Sequence, residues 1–254
     1  MTTRIALLGC GEAGSAIGAD LVAAGAEIVM YDPAVPALTG ATSAADEREA
    51  VRGADIVLSV NSASVARDVL ETAGGCAGSA IWADLNTGSP GLKADLARRS
   101  VELDVAFVDV AIMSPVPGKG LTVPMLVSGP DAERFAAKLN LFGANVSEQE
   151  GEAGAAAERK LLRSVFFKGL ATSVVEALEA AETANCRDWL RANIAGELAA
   201  FDEQIVDRLV EGTQLHAKRR ADEMDAATQM LTELDVEPLM ARASRDVMRR
   251  ILTR

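Results

Sequence analysis

Short apolar runs alternate with helix-spaced apolar positions through the first part of the chain. Ile5-Ala6-Leu7-Leu8 is a strand pattern, Ser15 to Ala24 a helix pattern, and Glu27-Ile28-Val29-Met30-Tyr31 a strand pattern again. Further strand-like runs are Ile56-Val57-Leu58-Ser59-Val60, Ser79-Ala80-Ile81-Trp82-Ala83, Val105-Ala106-Phe107-Val108 and Met125-Leu126-Val127. These runs are continuously apolar, which is what strands covered by helices on both faces require. The pattern predicts an α/β fold with a doubly wound, mainly parallel Rossmann sheet.

After Gly151 the strand pattern vanishes, and alanine, leucine, glutamate and arginine dominate. Residues 154–184 read as one long helix, with Leu161, Val165, Gly169, Thr172 and Val175 at helical spacing. A second long helix is expected over 203–234, stopped near Asp235 and Pro238, and a last one over 239–252. The change of pattern falls within Glu148-Gln149-Glu150-Gly151-Glu152. It divides the chain into a dinucleotide-binding domain over 1–150 and an all-helical domain over 151–254 for substrate and dimerisation. No internal repeat is visible.

Composition narrows the classes. With 254 residues, 49% hydrophobic and 24% charged, the chain can bury a sizeable core, and no stretch is apolar for long enough to cross a membrane. A net charge of −12 opposes nucleic-acid binding. It leaves room for a small anionic substrate in a cleft where a few arginines invert the field. Cys10, Cys76 and Cys186 form neither a CxxC pair nor a disulfide framework. With one histidine besides, no metal site is expected. Met1-Thr2-Thr3-Arg4 runs directly into a strand, which leaves no room for a secretory signal, and the expected location is the cytoplasm.

The glycine turn Gly9-Cys10-Gly11-Glu12-Ala13-Gly14 follows an apolar strand and opens a helix. Gly9 permits the tight turn, Gly11 admits a pyrophosphate, and Gly14 lets helix and strand approach. Asp32 ends the second strand, 23 positions after Gly9. A carboxylate there accepts hydrogen bonds from ribose hydroxyls and repels a 2′-phosphate, so NAD is the expected cofactor. Loop residues that would hold a 2′-phosphate keep NADP open. An ordinary turn at Asp32-Pro33 is the alternative.

Further candidates sit where strands end. Asn61, after the Ile56–Val60 run, would border the nicotinamide ribose; a helix-capping turn explains it equally. The loops Asp84-Leu85-Asn86-Thr87-Gly88-Ser89-Pro90 and Ser114-Pro115-Val116-Pro117-Gly118-Lys119-Gly120 offer hydroxyl, amide and backbone donors to a carboxylate or hydroxyl, or are rigid connections. In the first long helix, Lys160 and Lys168 are rival acid–base candidates if burial lowers their pKa. His216, Arg219, Arg220 and Glu223 share one face of the second long helix, as a salt-bridged stripe or as an anion-binding surface.

These residues together resemble the β-hydroxyacid dehydrogenase superfamily, which includes 3-hydroxyisobutyrate, tartronate-semialdehyde and 6-phosphogluconate dehydrogenases. Four motifs follow in that family's order: the turn Gly9 to Gly14, the loop Asp84-Leu85-Asn86-Thr87, the segment Asp109 to Gly120, and Gly151-Glu152-Ala153-Gly154 leading to Lys160. The resemblance implies that Lys160, not Lys168, exchanges a proton with a substrate hydroxyl as hydride moves to or from the nicotinamide. It implies further that Asn86, Thr87 and Ser114 bind the substrate. Where the family places a substrate-holding asparagine, three or four residues after the lysine, this chain has Arg163 and Ser164. Ser114-Pro115-Val116 stands in for the family's serine-glycine-glycine. The run from His216 to Met224 is similar to a branch of NAD-binding, 6-phosphogluconate dehydrogenase-like proteins. The expected function is an NAD(P)-dependent oxidoreductase of a small hydroxy acid or its keto or semialdehyde partner. Alternatives are a reductase of an imine or ketone without a carboxylate, and a dinucleotide sensor without turnover. Apolar positions around the first long helix, notably Val165, Phe166, Phe167, Leu170, Val174 and Leu178, predict a homodimer through the helical domain.

Overall fold

The structure is a computed structural model and describes residues 2–253. It forms two compact units, the first ending at Arg163 and the second beginning at Ser164.

The first unit is built on an eight-stranded sheet in the order β3-β2-β1-β4-β5-β6-β7-β8. β1 (Arg4–Leu8), β2 (Glu27–Tyr31), β3 (Thr42–Ser43), β4 (Ile56–Ser59), β5 (Ile81–Asp84) and β6 (Ala106–Ile112) run parallel. Helices α1 (Glu12–Ala23), α2 (Glu47–Val51), α3 (Ala66–Ala73) and α4 (Pro90–Glu102) make the crossovers. α4 starts where its sequence dictates: the Ser89 hydroxyl accepts the Leu92 N–H, and Pro90 needs no donor at the first position. Alternation along β1 sends Ile5 and Leu7 into one core with Ile17, Leu21 and Phe135, and Ala6 and Leu8 into a second with Trp82, Leu70 and Leu96. The expectation of a sheet buried on both faces is met, because neither face is left to water.

Three elements depart from the sequence reading. β7 (Pro124–Ser128) runs antiparallel to β6, since the 113–123 connection is too short for a crossover helix. β8 (Asn145–Glu148), which follows α5 (Ala132–Asn140), was not expected: it is an edge strand whose single buried residue is Val146. β3 is a two-residue, exposed edge and leaves no apolar signature.

The register sets up the site. Across neighbouring strands Ser59 pairs with Asp84, Asp84 with Asp109, and Asp109 with Ser128. Four polar residues thus form one transverse row, and all four are buried.

The long helix α6 (Ala155–Thr183) begins in the first unit. The second unit adds α7 (Arg187–Ala199), α8 (Ile205–Leu215), α9 (Ala217–Glu233) and α10 (Leu239–Leu252). The single helix expected over 203–234 is two helices, broken at His216 (φ −114°, ψ 18°). The break lets Arg220 fold back, its guanidinium donating to Thr213 Oγ1 at 2.6 Å and lying 3.3 Å from where a Gly212 Cβ would stand. α7 escaped the sequence reading because none of its residues is buried and its apolar spacing is weak. The core of this unit is small, centred on Ala180, Leu231, Val236 and Ala241. Among the described residues no helix is long and apolar enough to cross a membrane.

Candidate functional site

The glycine turn lies at the point where strand order reverses, between β1 with β2 on one side and β4 on the other. That is where open α/β sheets bind ligands, at the carboxyl ends of the strands. Gly9 has φ +94°, and a Cβ there would stand 2.5 Å from Asn61 Oδ1 and 2.6 Å from the Val60 carbonyl. A Cβ on Gly14 would collide with the Gly9 carbonyl. Gly11 has nothing within 4 Å of its Cβ direction, so the space above it is open. Gly11 caps α1 without a side-chain hydrogen bond, which leaves first-turn N–H groups for a phosphate. The turn therefore fits a dinucleotide: closed where chain meets chain, open where a pyrophosphate would lie.

Asp32 is preset for its place beside the turn. Its Oδ2 accepts from the Cys10 N–H at 2.7 Å, and its Oδ1 from Ala34 and Val35 at 2.8 and 3.0 Å. Burial pushes this carboxyl up, but the three N–H groups outweigh it and hold the group below its ordinary value of 3.8. Between Arg4 and Arg48 there is no lysine or arginine. Arg4 pairs with Glu27 at 3.4 Å, and Arg48 donates to the Thr72 carbonyl at 3.0 Å. The Cys10 thiol, buried and next to Asp32, is pushed up to about 11 and is inert as a nucleophile near neutrality.

A cavity of about 230 Å³ opens beside the turn, lined by Gly11, Glu12, Ala13, Asn61, Asn86, Thr87 and Lys160 among others. Lys160 Nζ donates to Thr87 Oγ1 at 2.7 Å. Burial, and then the Lys93 ammonium, hold the Lys160 amine below its ordinary value of 10.5, against an upward pull from Asp109. An amine so placed gives and takes a proton more readily than a solvated lysine.

The transverse row fixes these groups. Asn86 Nδ2 donates to Ser59 Oγ at 3.1 Å and to Asp84 Oδ1. Asp109 Oδ2 accepts from the N–H groups of Gly154 and Ala157 at 3.0 and 2.9 Å, and Ser128 Oγ from Ala156 at 3.0 Å. The strands thereby cap the helix that carries Lys160. The first turns of α6 are bound to the sheet this way, and the compact first unit extends past them to Arg163.

Comparison with known proteins decides the family. Residues 4–149 match the NAD binding domain of 6-phosphogluconate dehydrogenase, and residues 181–251 match a domain of unknown function (DUF1932). The chain belongs to the 6-phosphogluconate dehydrogenase NAD-binding family. The matched model is a nicotinamide-dinucleotide-binding domain, so residues 4–149 are assigned NAD binding. The chain is 29% identical over 206 residues to mitochondrial 3-hydroxyisobutyrate dehydrogenase of Drosophila melanogaster, covering 77% of this chain and 62% of that one. It is 27% identical over 207 residues to an uncharacterized 28.5 kDa protein of Methanothermus fervidus, covering 81% and 79%. In structure it resembles an imine reductase from Myxococcus stipitatus in complex with NADP+, with a TM-score of 0.85 at 19% identity over 100% of this chain and 94% of that one. That likeness shows the fold. The resemblance read from the four sequence motifs and the expectation of a nicotinamide dinucleotide are borne out by the family match.

The expected residues distribute unevenly over the chain. Gly11, Glu12, Ala13, Asn61, Asn86, Thr87 and Lys160 line one cavity. Ser114 does not: its hydroxyl accepts from Lys119 Nζ at 3.0 Å, and Ile112 of the same segment faces the cavity instead. Ser164, His216 and Arg219 belong to the second unit. Arg219 pairs with Glu223 at 3.5 Å, both largely exposed, and lines a surface cavity together with His216, whereas Arg220 turns away to Thr213. The second unit has its own apolar cleft of about 430 Å³, lined by residues such as Trp189, Met224 and Met240. Glu176 on its wall is engaged in accepting the Met240 and Ala241 N–H groups of α10. Among the described residues no cluster suited to a metal ion occurs.

Lys93 is the residue that sequence reasoning missed. It sits with Leu96 and Ser100 on the buried face of α4 at i, i+3, i+7 spacing. A lysine on an otherwise buried stripe, with apolar strands ending in Asp84 and carrying Asp109, was the available signal.

Proposed function

We propose that the protein is an NAD-dependent oxidoreductase that converts a small hydroxy acid to its keto or semialdehyde partner, or the reverse, with Lys160 as the acid–base. The observation that carries this reading is the Lys160 amine, half-buried and bonded to Thr87 in a cavity that residues of the glycine turn also line. Bound NAD supplies the hydride acceptor or donor. The protein supplies the rest: Lys160 Nζ takes the substrate hydroxyl proton or returns it, Thr87 orients that amine and with Asn86 would bind the substrate, and Asn61 would border the nicotinamide ribose. NAD is favoured over NADP because Asp32 places a preset carboxylate at the ribose position in a stretch without a cation.

Two features support a second reading. Lys160 is the one cation among the described residues lining the cavity, and Arg163 and Ser164 stand where a substrate-holding asparagine is expected. Both suit an imine or ketone without a carboxylate. We further assign the protein a homodimer through the helical unit, where Val165 is 74% and Phe166 52% exposed, and a reducing, cytoplasmic setting in keeping with three free cysteines. The test is a panel of hydroxy acids, semialdehydes and cyclic imines, each with NAD and NADP, followed at the nicotinamide absorbance band. Turnover of hydroxy acids with NAD preferred is the expected result. Turnover confined to imines selects the second reading, and cofactor binding without turnover of any compound overturns both.

A further inference from the structure

Two carboxylates and one ammonium lie together in the interior of the sheet unit: Asp84, Asp109 and Lys93, each at most 1% exposed. Lys93 Nζ donates to Asp84 Oδ2 and to the Asp84 carbonyl, both at 2.7 Å, and stands 3.1 Å from Asp109 Oδ1. Each carboxylate holds something else as well. Asp84 Oδ1 accepts from Asn86, fixing the loop that carries Thr87. Asp109 Oδ2 accepts from Gly154 and Ala157, fixing the head of the helix that carries Lys160. Since Lys160 reaches back to Thr87, the contacts close a ring in which the Lys93 ammonium is the joint.

We propose that Lys93 is a positioning residue for Lys160: it ties the Thr87 loop to the head of α6 and serves as counter-ion to Asp84 and Asp109, leaving Lys160 free to exchange its proton. This rests on the reading of Lys160 as the acid–base. The charge balance gives the reason. Two buried carboxylates need compensation, and the end of α6 supplies only about half a unit charge. Without Lys93 the next cation is Lys160, which would be drawn in and held protonated. The other charged groups around Lys160 do not substitute: Glu12 of α1 is acidic, and Glu158 and Arg159 on its own helix pair with each other at 3.1 Å at the surface. Arg163, one turn on, is exposed, whereas Lys93 is not. A lysine suits the joint better than an arginine, because a compact ammonium can donate to two oxygens of Asp84 while standing in ion-pair distance of Asp109 Oδ1. The lowering of the Lys160 amine by Lys93 and its raising by Asp109 agree in sign.

The test is competitive acetylation of the cofactor-free protein across pH, reading the Lys160 peptide by mass spectrometry, a measurement that needs no activity. In Lys93→Met the labelling midpoint of Lys160 should rise by about one pH unit or more. In Asp109→Asn it should fall. The double variant Lys93→Met with Asp109→Asn removes both charges that act on Lys160 and keeps the net buried charge, so its midpoint stays near wild type. With the tie broken, its kcat should nonetheless drop roughly 10- to 100-fold at an unchanged cofactor KM. An unmoved midpoint in Lys93→Met, or full kcat in the double variant, overturns the proposal; the second outcome decides even if the single variant does not fold. Loss of turnover in Lys160→Ala checks the underlying reading separately, since the labelling shifts do not depend on it.

Discussion

The two units of the chain settle their polar and apolar groups in opposite ways. The sheet unit closes on itself: two dense cores flank the strands, and even the charges of its polar row find partners inside. The helical unit keeps a core of a few residues and leaves Val165, Val175, Trp189, Val206 and Leu215 each more than 60% exposed. The first unit is thus a finished scaffold that can hold reacting groups still, and the second exposes apolar side chains that the proposed homodimer would cover.

The sharpest way to break that contrast is to open the polar row. Asp109→Ala removes the cap of α6 and half the compensation of Lys93. It should cost about 2–4 kcal/mol in urea unfolding, because the buried Gly154 and Ala157 N–H groups lose their acceptor while Lys93 keeps Asp84; a loss below about 1 kcal/mol would mean that the row is solvated. Next in size, Asp32→Ser should weaken NAD binding by about 1.5–3 kcal/mol in titration calorimetry and weaken NADP less, because it removes a charged acceptor that also repels a 2′-phosphate. In the helical unit, Val165→Ser with Phe166→Ser should turn a dimer into a monomer by sedimentation. The matched exposed pair in the sheet unit, Val101→Ser with Leu141→Ser, should leave assembly unchanged and shift stability by less than about 0.5 kcal/mol each. Equal effects of the two pairs would erase the difference between the units. The smallest effect concerns pH. Lys160 is easier to deprotonate folded than unfolded, so in the window from its lowered folded value up to 10.5 the unfolded chain binds more protons and stability rises with pH. Lys160→Met should flatten that rise in thermal unfolding followed from neutral to alkaline pH.

The same contrast explains what the sequence made legible. The six main strands could be read because each is a continuous apolar run, and the glycine turn because its glycines are demanded by close approach at Gly9 and Gly14. Lys160 and Thr87 were reached through motif order, not through periodicity, which could not separate Lys160 from Lys168. The ring through Lys93 was out of reach because it depends on register: Asp84 and Asp109 are 25 positions apart along the chain yet paired across β5 and β6. In the helical unit the reading failed at His216 and over α7, where little burial constrains the pattern, so helix breaks leave no periodic trace. Ser114 was carried by resemblance into a loop where Pro115 and Val116 replace glycines, and there its hydroxyl turns to Lys119.

Lys160 is the proposed proton-moving group of the nicotinamide site. The direct measurement is turnover and cofactor affinity of Lys160→Ala beside wild type, with the best substrate found. Turnover should fall by about 10²- to 10⁴-fold while the dissociation constant for NAD stays near its wild-type value. Unchanged turnover would contradict the assignment of Lys160.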